Sequence, residues 1–267
     1  MNDSIFNRLH ESVSSLKMKI DTSELAAFAD EQSFTPEQLD AICATFDYLK
    51  ERKHDMMVST MLRLSKLPLK APKTVENFDI DYHHGKHVDD LKNLTSLSAL
   101  YAHKNLAFIG PQGVGKTHLA MAFGRECCLS GYKTYFLKAP ELNQKFTDAR
   151  KRGKEGSTVN GLVKPSCLII DEIGRCVFDK ENTRLFFDVI DRRYNKEGPN
   201  TMIMTSNKTP DQWKEYFNED DTLLCTLDRI FDNANVYLIR GDSYRGRKLS
   251  TYGVNAGVPK STEIKSI

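Results

Sequence analysis

The 267-residue chain has six cysteines, Cys43, Cys127, Cys128, Cys167, Cys176 and Cys225, but no CxxC pair. That absence argues against a zinc site or a disulfide framework and leaves small buried thiols as the expectation. Apolar runs reach only about six residues, far short of a bilayer span, and the N-terminus MNDSIFNRLHESVSS has no apolar centre like that of a secretory leader. A cytoplasmic location is therefore expected. There is no internal repeat and no low-complexity tract. His83, His84 and His87 lie close together, but no other ligand type accompanies them, so a surface linker is expected there rather than a metal site. Strong charge of either sign is also missing: the net charge is +2. It is unevenly spread, with 12 Lys/Arg against 16 Asp/Glu in residues 1–95 and 26 against 20 in residues 96–267. The second part can therefore meet a polyanion, although its charge does not require one.

What is present is a change of pattern along the chain. TPEQ at 35–38 has the form of a capping box with proline at the first helical position. Leu39, Ile42, Cys43, Phe46 and Leu49 follow at three- and four-residue spacing, one face of a helix expected to run into the sixties. LPLKAPKTVENFD then breaks it with two prolines, which predicts a linker near 67–77 and a short helix over 87–103. From residue 105, apolar runs alternate with helical patterns: NLAFIG, TYFLKA, CLIIDE, NTMIMTSN and NVYLIRG. Such runs predict an α/β fold, a parallel five-stranded sheet between helices, preceded by a small helical N-terminal domain. The expected organisation is 1–66 helical domain, 67–104 linker and pre-core helix, 105–250 core, and 251–267 a disordered tail.

The run GPQGVGKTHLA at 110–120 follows the first of these strands. Gly110, Gly115, Lys116 and Thr117 match G-x-x-x-x-G-K-[ST], and Gly113 removes a further side chain. Glycines let backbone N–H groups close on a phosphate, and the next helix adds its positive end. Lys116 is expected to reach the β- and γ-phosphates of ATP and Thr117 to ligate Mg²⁺. Pro111, Val114 and His118 complete the stretch expected to line the nucleotide. In CLIIDE, Asp171 is the second Mg²⁺ residue and Glu172 the base that polarises a water; the plainer alternative is a surface acidic pair. Such a carboxylate favours hydrolysis over transfer to a small-molecule hydroxyl. Asn207, at the tip of NTMIMTSN, either caps a turn or places the attacking water.

Taken in order, GPQGVGKTHLA, CLIIDEIG, IMTSN, LDRI and RGDSYRGR resemble the IstB-type helper ATPases of bacterial insertion sequences and, less closely, the DnaC-type helicase loaders, both of the AAA+ class. The resemblance covers about residues 35–250, with KTVENFDID included. It implies an AAA+ core without a full C-terminal lid, which leaves part of the adenine pocket to VENFD at 75–79. It implies that Arg229 in LDRI is an arginine finger acting on a neighbouring subunit's γ-phosphate, so that the active form is a homo-oligomer. It implies a nucleotide-sensing or intersubunit role for Arg245.

Lys145, Arg150, Lys151, Arg152 and Lys154 cluster between the second and third strands. By composition this is a solvated basic helix end; by the resemblance it contacts the phosphates of double-stranded DNA. Arg240, Arg245, Arg247 and Lys248 add cations near the C-terminus. The function implied is an ATP-dependent DNA-binding helper of transposition whose partner is a transposase encoded by the same element. The alternatives are a loader of the replicative helicase and a nucleotide-binding scaffold that barely turns over.

Overall fold

A computed structural model describes residues 2–217 and 221–244. The predicted Arg245, Arg247, Lys248 and the 251–267 tail lie outside the described residues.

Three helices come first: α1 (Asn2–Ser15), α2 (Thr22–Glu31) and α3 (Pro36–Leu64). The capping box read in the sequence is formed, with Gln38 N–H donating to Thr35 Oγ1 at 3.3 Å and Thr35 N–H to Gln38 Oε1 at 2.8 Å. Phe6, Leu9 and Val13 of α1 are buried with Leu39 and Cys43, so the first half of α3 completes a small core of its own. The helix has 29 residues, about 44 Å at 1.5 Å each. Met61 and Leu62, at its far end, pack on the core of the second part of the chain.

The expected helix over 87–103 is instead a broken series. A helix α4 (Val88–Lys92), a 3₁₀ turn (Asn93–Ser96) and a helix α5 (Ser98–Tyr101) meet at Leu97, whose φ is +54°. Leu91, Leu94, Leu97 and Leu100 are all buried. Their spacing of three suits a tighter winding than the 3.6 residues of an α-helix.

The core runs β1 (Asn105–Ile109), α6 (Lys116–Leu129), β2 (Thr134–Lys138), α7 (Ala139–Lys151), α8 (Glu155–Val163), β3 (Cys167–Ile173), α9 (Lys180–Tyr194), β4 (Thr201–Ser206), a 3₁₀ segment (Pro210–Tyr216), α10 (Asp221–Phe231) and β5 (Ala234–Leu238). The five strands form one parallel sheet in the order β2-β3-β4-β1-β5. Leu106, Phe108, Ile169 and Ile203 bury one face with α6, and Ala107, Ile109, Ile170 and Met204 bury the other with residues of α7, α8 and α9. The central strands thus read as continuous apolar runs because both faces are covered.

Two features fix the sheet for the site it carries. At the entry ends of the strands, Arg193 is 1% exposed and donates to the carbonyls of Leu162, Val163, Pro165, Ser166 and Thr201 at 2.7–3.3 Å. Burial pulls its pKa down to about 10. At the exit ends, Ile109 pairs with Ser206, and Gly110 N–H donates to Ser206 O at 3.1 Å. The glycine run therefore leaves the sheet beside the end of β4.

Candidate functional site

The loop from Gly110 to Thr117 joins β1 to α6. Gly113 and Gly115 have φ of +78° and +96°, the left-handed region that glycine enters without strain. A Cβ on Gly115 would lie 2.5 Å from the ring of Phe78, and one on Gly113 would lie 1.9 Å from Ser243 Oγ. The loop is thus held from both sides. Lys116 is 8% exposed, and its ammonium lies across the loop, 2.8 Å from Gly110 O and 2.6 Å from Pro111 O.

Beneath the loop, Thr117 Oγ1 donates to Asp171 Oδ1 at 2.7 Å, and Thr205 Oγ1 donates to the same oxygen at 2.6 Å. Asp171 and Thr205 are each 1% exposed. Buried carboxylates need such donors. The Thr205 hydroxyl also accepts from Glu172 N–H at 3.0 Å. Thr205 was missed in the sequence reading, although its signal is visible: a hydroxyl inside an apolar strand, two residues before Asn207.

Glu172 departs from regular strand geometry. The β3–β4 register shifts between Ile170 and Ile173, and Glu172 has φ +60°. An L-residue there costs of order 1–2 kcal/mol. Strain of this kind persists only where the surroundings hold it, and a bulge re-aims the side chain it carries. The carboxylate lies 2.6 Å from Arg175 Nη1 and 3.4 Å from Lys138 Nζ. Neither cation was singled out from the sequence. Lys138 is the register partner of Asp171 at the end of β2. Asn207 is exposed just beyond the end of β4, the strand between β3 and β1 in the sheet.

An aromatic group closes the other side. The ring centroids of Phe78 lie 4.8 Å from His83 and 5.2 Å from His118, and His83 lies 6.2 Å from Tyr244. His118 Nε2 is 2.8 Å from Thr74 O, and since a carbonyl only accepts, that nitrogen carries the proton. Burial lowers the His118 pKa. Tyr244 N–H donates to Gly113 O at 3.0 Å and its hydroxyl to Asp79 O at 3.0 Å. VENFD and the start of the SYR element therefore both touch the loop. His83 belongs to this group and His87 pairs with Asp90 at 2.9 Å; among the described residues no cluster of metal-ligand type is present.

Two predicted sets lie elsewhere. Arg229 is at the opposite end of the sheet, where Asn105 Nδ2, at the start of β1, donates to the neighbouring Ile230 O at 2.9 Å. The length of β1, roughly 13 Å at about 3.3 Å per residue, separates it from the loop of its own chain. There it pairs with Asp191 at 2.8 Å. The basic residues Lys145, Arg150 and Lys151 are on α7, Arg152 at its end and Lys154 just before α8. Arg150 turns to Asp179 and Asn182 instead of standing clear.

The chain is similar in sequence to known proteins. In Geobacillus stearothermophilus, the protein named as the ATP-binding protein of insertion sequence IS5376 is 36% identical over 73% of this chain and 76% of its own length. The IS232 counterpart of Bacillus thuringiensis subsp. berliner is 33% identical over 74% and 78%, and that of IS21 from Pseudomonas aeruginosa 30% over 80% and 78%. The fold is that of AAA+ P-loop domains. AMPPCP-bound DnaA from Aquifex aeolicus superposes with a TM-score of 0.51 at 22% identity, over 63% of this chain and 49% of that one. DnaI superposes at 0.52 and 16%, over 68% and 92%. The chain thus spans about half the length of the DnaA chain but three quarters of the insertion-sequence proteins. The family described as IstB-like ATP binding protein matches residues 16–251, a span that contains the glycine loop, the Thr117–Asp171 pair and Glu172, and the chain belongs to that family.

Proposed function

We propose that the protein is a Mg²⁺-dependent ATPase that assembles on double-stranded DNA and serves a transposase encoded by the same mobile element. The observation that carries this reading is the 2.7 Å contact between the Thr117 hydroxyl and the Asp171 carboxylate, next to the loop lysine. Two hard oxygens on rigid elements suit Mg²⁺, and the bound ion would neutralise charge on the β- and γ-phosphates. Lys116 exchanges its two carbonyl partners for phosphate oxygens. Phe78, with His83, His118 and Tyr244, supplies the apolar wall for the adenine.

Glu172 takes a proton from a water whose oxygen forms the new bond to the γ-phosphorus, while the bond to the bridging oxygen breaks and its electron pair leaves with ADP. Asn207 orients that water. Because Arg229 lies about one strand length from its own loop, the reading assigns it to the γ-phosphate of an adjacent protomer, in a homo-oligomer. Arg245 follows directly on Tyr244, a loop contact, and is assigned a sensing role. Lys145, Lys151, Arg152 and Lys154 meet DNA phosphates. The transposase is inferred from relatives named for insertion sequences. No described helix is long and apolar enough to cross a membrane, and the protein is assigned to the cytoplasm.

The test is ATP turnover by wild type and Glu172→Gln, with and without duplex DNA. The variant is expected to bind ATP and lose at least about 100-fold in turnover. Equal turnover by the two would remove Glu172 from the chemistry, and no ATP uptake by calorimetry would end the reading altogether.

A further inference from the structure

The cations of the α7–α8 segment are not one group. Arg150 Nη1 donates to both carboxylate oxygens of Asp179, at 3.0 and 2.9 Å, and to Asn182 Oδ1 at 3.2 Å. Asp179 is itself the cap of α9, accepting from Asn182 N–H at 2.8 Å. Arg150 therefore ties α7 to the start of α9. Lys145, Arg152 and Lys154 line a separate hollow of about 580 Å³, and the fourth cation in it is Lys66. None of the four is paired with a described carboxylate. The two carboxylates of the hollow are Glu141 and Asp148, so cations outnumber acids there by two to one.

Lys66 is positioned by its backbone. Ser65 O accepts from Phe136 N–H of the edge strand β2 at 2.8 Å, and Ser65 Oγ accepts from Leu67 N–H at 3.1 Å. Leu67 is 6% exposed. Lys66 lies between these anchors with φ +63°, a position after a helix end where glycine is the ordinary occupant. A lysine is strained in this backbone region, where a glycine is not. Its ammonium stands 5.2 Å from the centre of the Tyr135 ring, outside the sheet edge. Among the described residues the strained backbone has no compensating ion pair, and the charge it presents joins three others in one groove.

We infer that Lys66 is a phosphate contact of the nucleic-acid groove and that Arg150 is not. The inference rests on the proposal that the α7–α8 segment binds DNA. It adds the junction of α3 with the core to the DNA surface, so the N-terminal helices are oriented by the same contact.

The experiment measures binding of a duplex of about 30 base pairs by fluorescence anisotropy, from about 50 to 300 mM KCl. Lys66→Gly removes the charge and relieves the backbone, so thermal stability is expected to hold or rise while affinity at 0.1 M salt falls roughly tenfold. The slope of log affinity against log salt becomes shallower by about 0.9. Lys66→Asn, asparagine also being at ease with positive φ, behaves alike, and Lys66→Arg retains binding. Arg150→Gln keeps the wild-type slope. A wild-type slope in both Lys66→Gly and Lys66→Asn overturns the role of Lys66, and a shallower slope in Arg150→Gln overturns the division. Joint neutralisation of Lys145, Arg152 and Lys154 separates the levels. If that triple variant binds DNA as wild type does, the segment itself is not the DNA surface and the underlying proposal fails with the inference. If it binds weakly while Lys66→Gly does not, only the inference fails.

Discussion

Thr205→Val is the substitution that most directly tests how Asp171, the proposed Mg²⁺ residue, is held. Valine matches threonine in shape, so the 1%-exposed position stays filled and no cavity forms. What is lost is the hydroxyl, which donates to Asp171 Oδ1 at 2.6 Å and accepts from Glu172 N–H at 3.0 Å. A hydrogen bond to a charged group contributes about 1.5–3 kcal/mol and an ordinary one about 1 kcal/mol, giving a loss of about 3 kcal/mol. For a chain of this size that lowers Tm by about 6–9 °C. Thr205→Ser keeps both bonds and loses one methyl, about 1 kcal/mol. In ATP turnover measured against MgCl₂ concentration, Thr205→Val should need more Mg²⁺ for half-maximal rate, because Asp171 is held by Thr117 alone. Scanning calorimetry and that titration together decide the matter. If Thr205→Val melts within a degree or so of Thr205→Ser and titrates like wild type, Asp171 is positioned by something other than this hydroxyl.

A division of the active site between protomers can be read from mixing. Arg229→Ala and Glu172→Gln are each expected to be inactive alone, but mixed oligomers contain interfaces where an intact Glu172 meets an intact Arg229, so turnover should partly return; no recovery would place both groups in one chain. Gly115→Ala should abolish ATP uptake in calorimetry, since φ +96° and a contact of 2.5 Å to Phe78 leave no room for a methyl group; wild-type uptake would show that the loop yields. His118 should make stability fall with acid. Burial lowers its folded pKa, so the unfolded chain takes the proton first, at about pH 6.5, and stability drops as pH falls through and below that value, levelling off only below the folded pKa. Tm measured from about pH 7 to 5 should decline less in His118→Gln than in wild type; equal slopes would assign the decline to other groups.

How much of this was legible beforehand depended on how local each feature is. The glycine loop and the acidic pair are contiguous runs, and their residue types carry their own chemistry. The sheet was legible because both of its faces are covered and its central strands are apolar throughout. The break at Leu97 was less so: a three-residue leucine spacing, read as an ordinary helix over 87–103, records a tighter winding. The left-handed backbone at Glu172 left no mark in the sequence, since glutamate is not a residue that announces positive φ. Nor could the run at 145–156 show that Gly153, with φ +60°, would end one helix before the next began.

The same limit decides what a list of basic residues can mean. Lys145, Arg150, Lys151, Arg152 and Lys154 lie within ten residues, and no property of the sequence separates them. A helix rotates each position by about 100°, so neighbours in a charge run face different surroundings. Arg150 meets the cap of α9, where its guanidinium has two acceptor residues. Lys145 and Arg152 meet a groove completed by a lysine from 79 residues earlier than Lys145 in the chain. Charge alone predicts an additive loss of DNA affinity as the five are neutralised one at a time. On the proposed reading, neutralising Lys145, Arg152 or Lys154 lowers DNA affinity, Lys151, which lines the hollow that holds Arg150 and Asp179, changes it less, and Arg150→Gln leaves it unchanged and lowers Tm instead. Measured one by one, the five variants therefore distinguish a basic segment from a built surface.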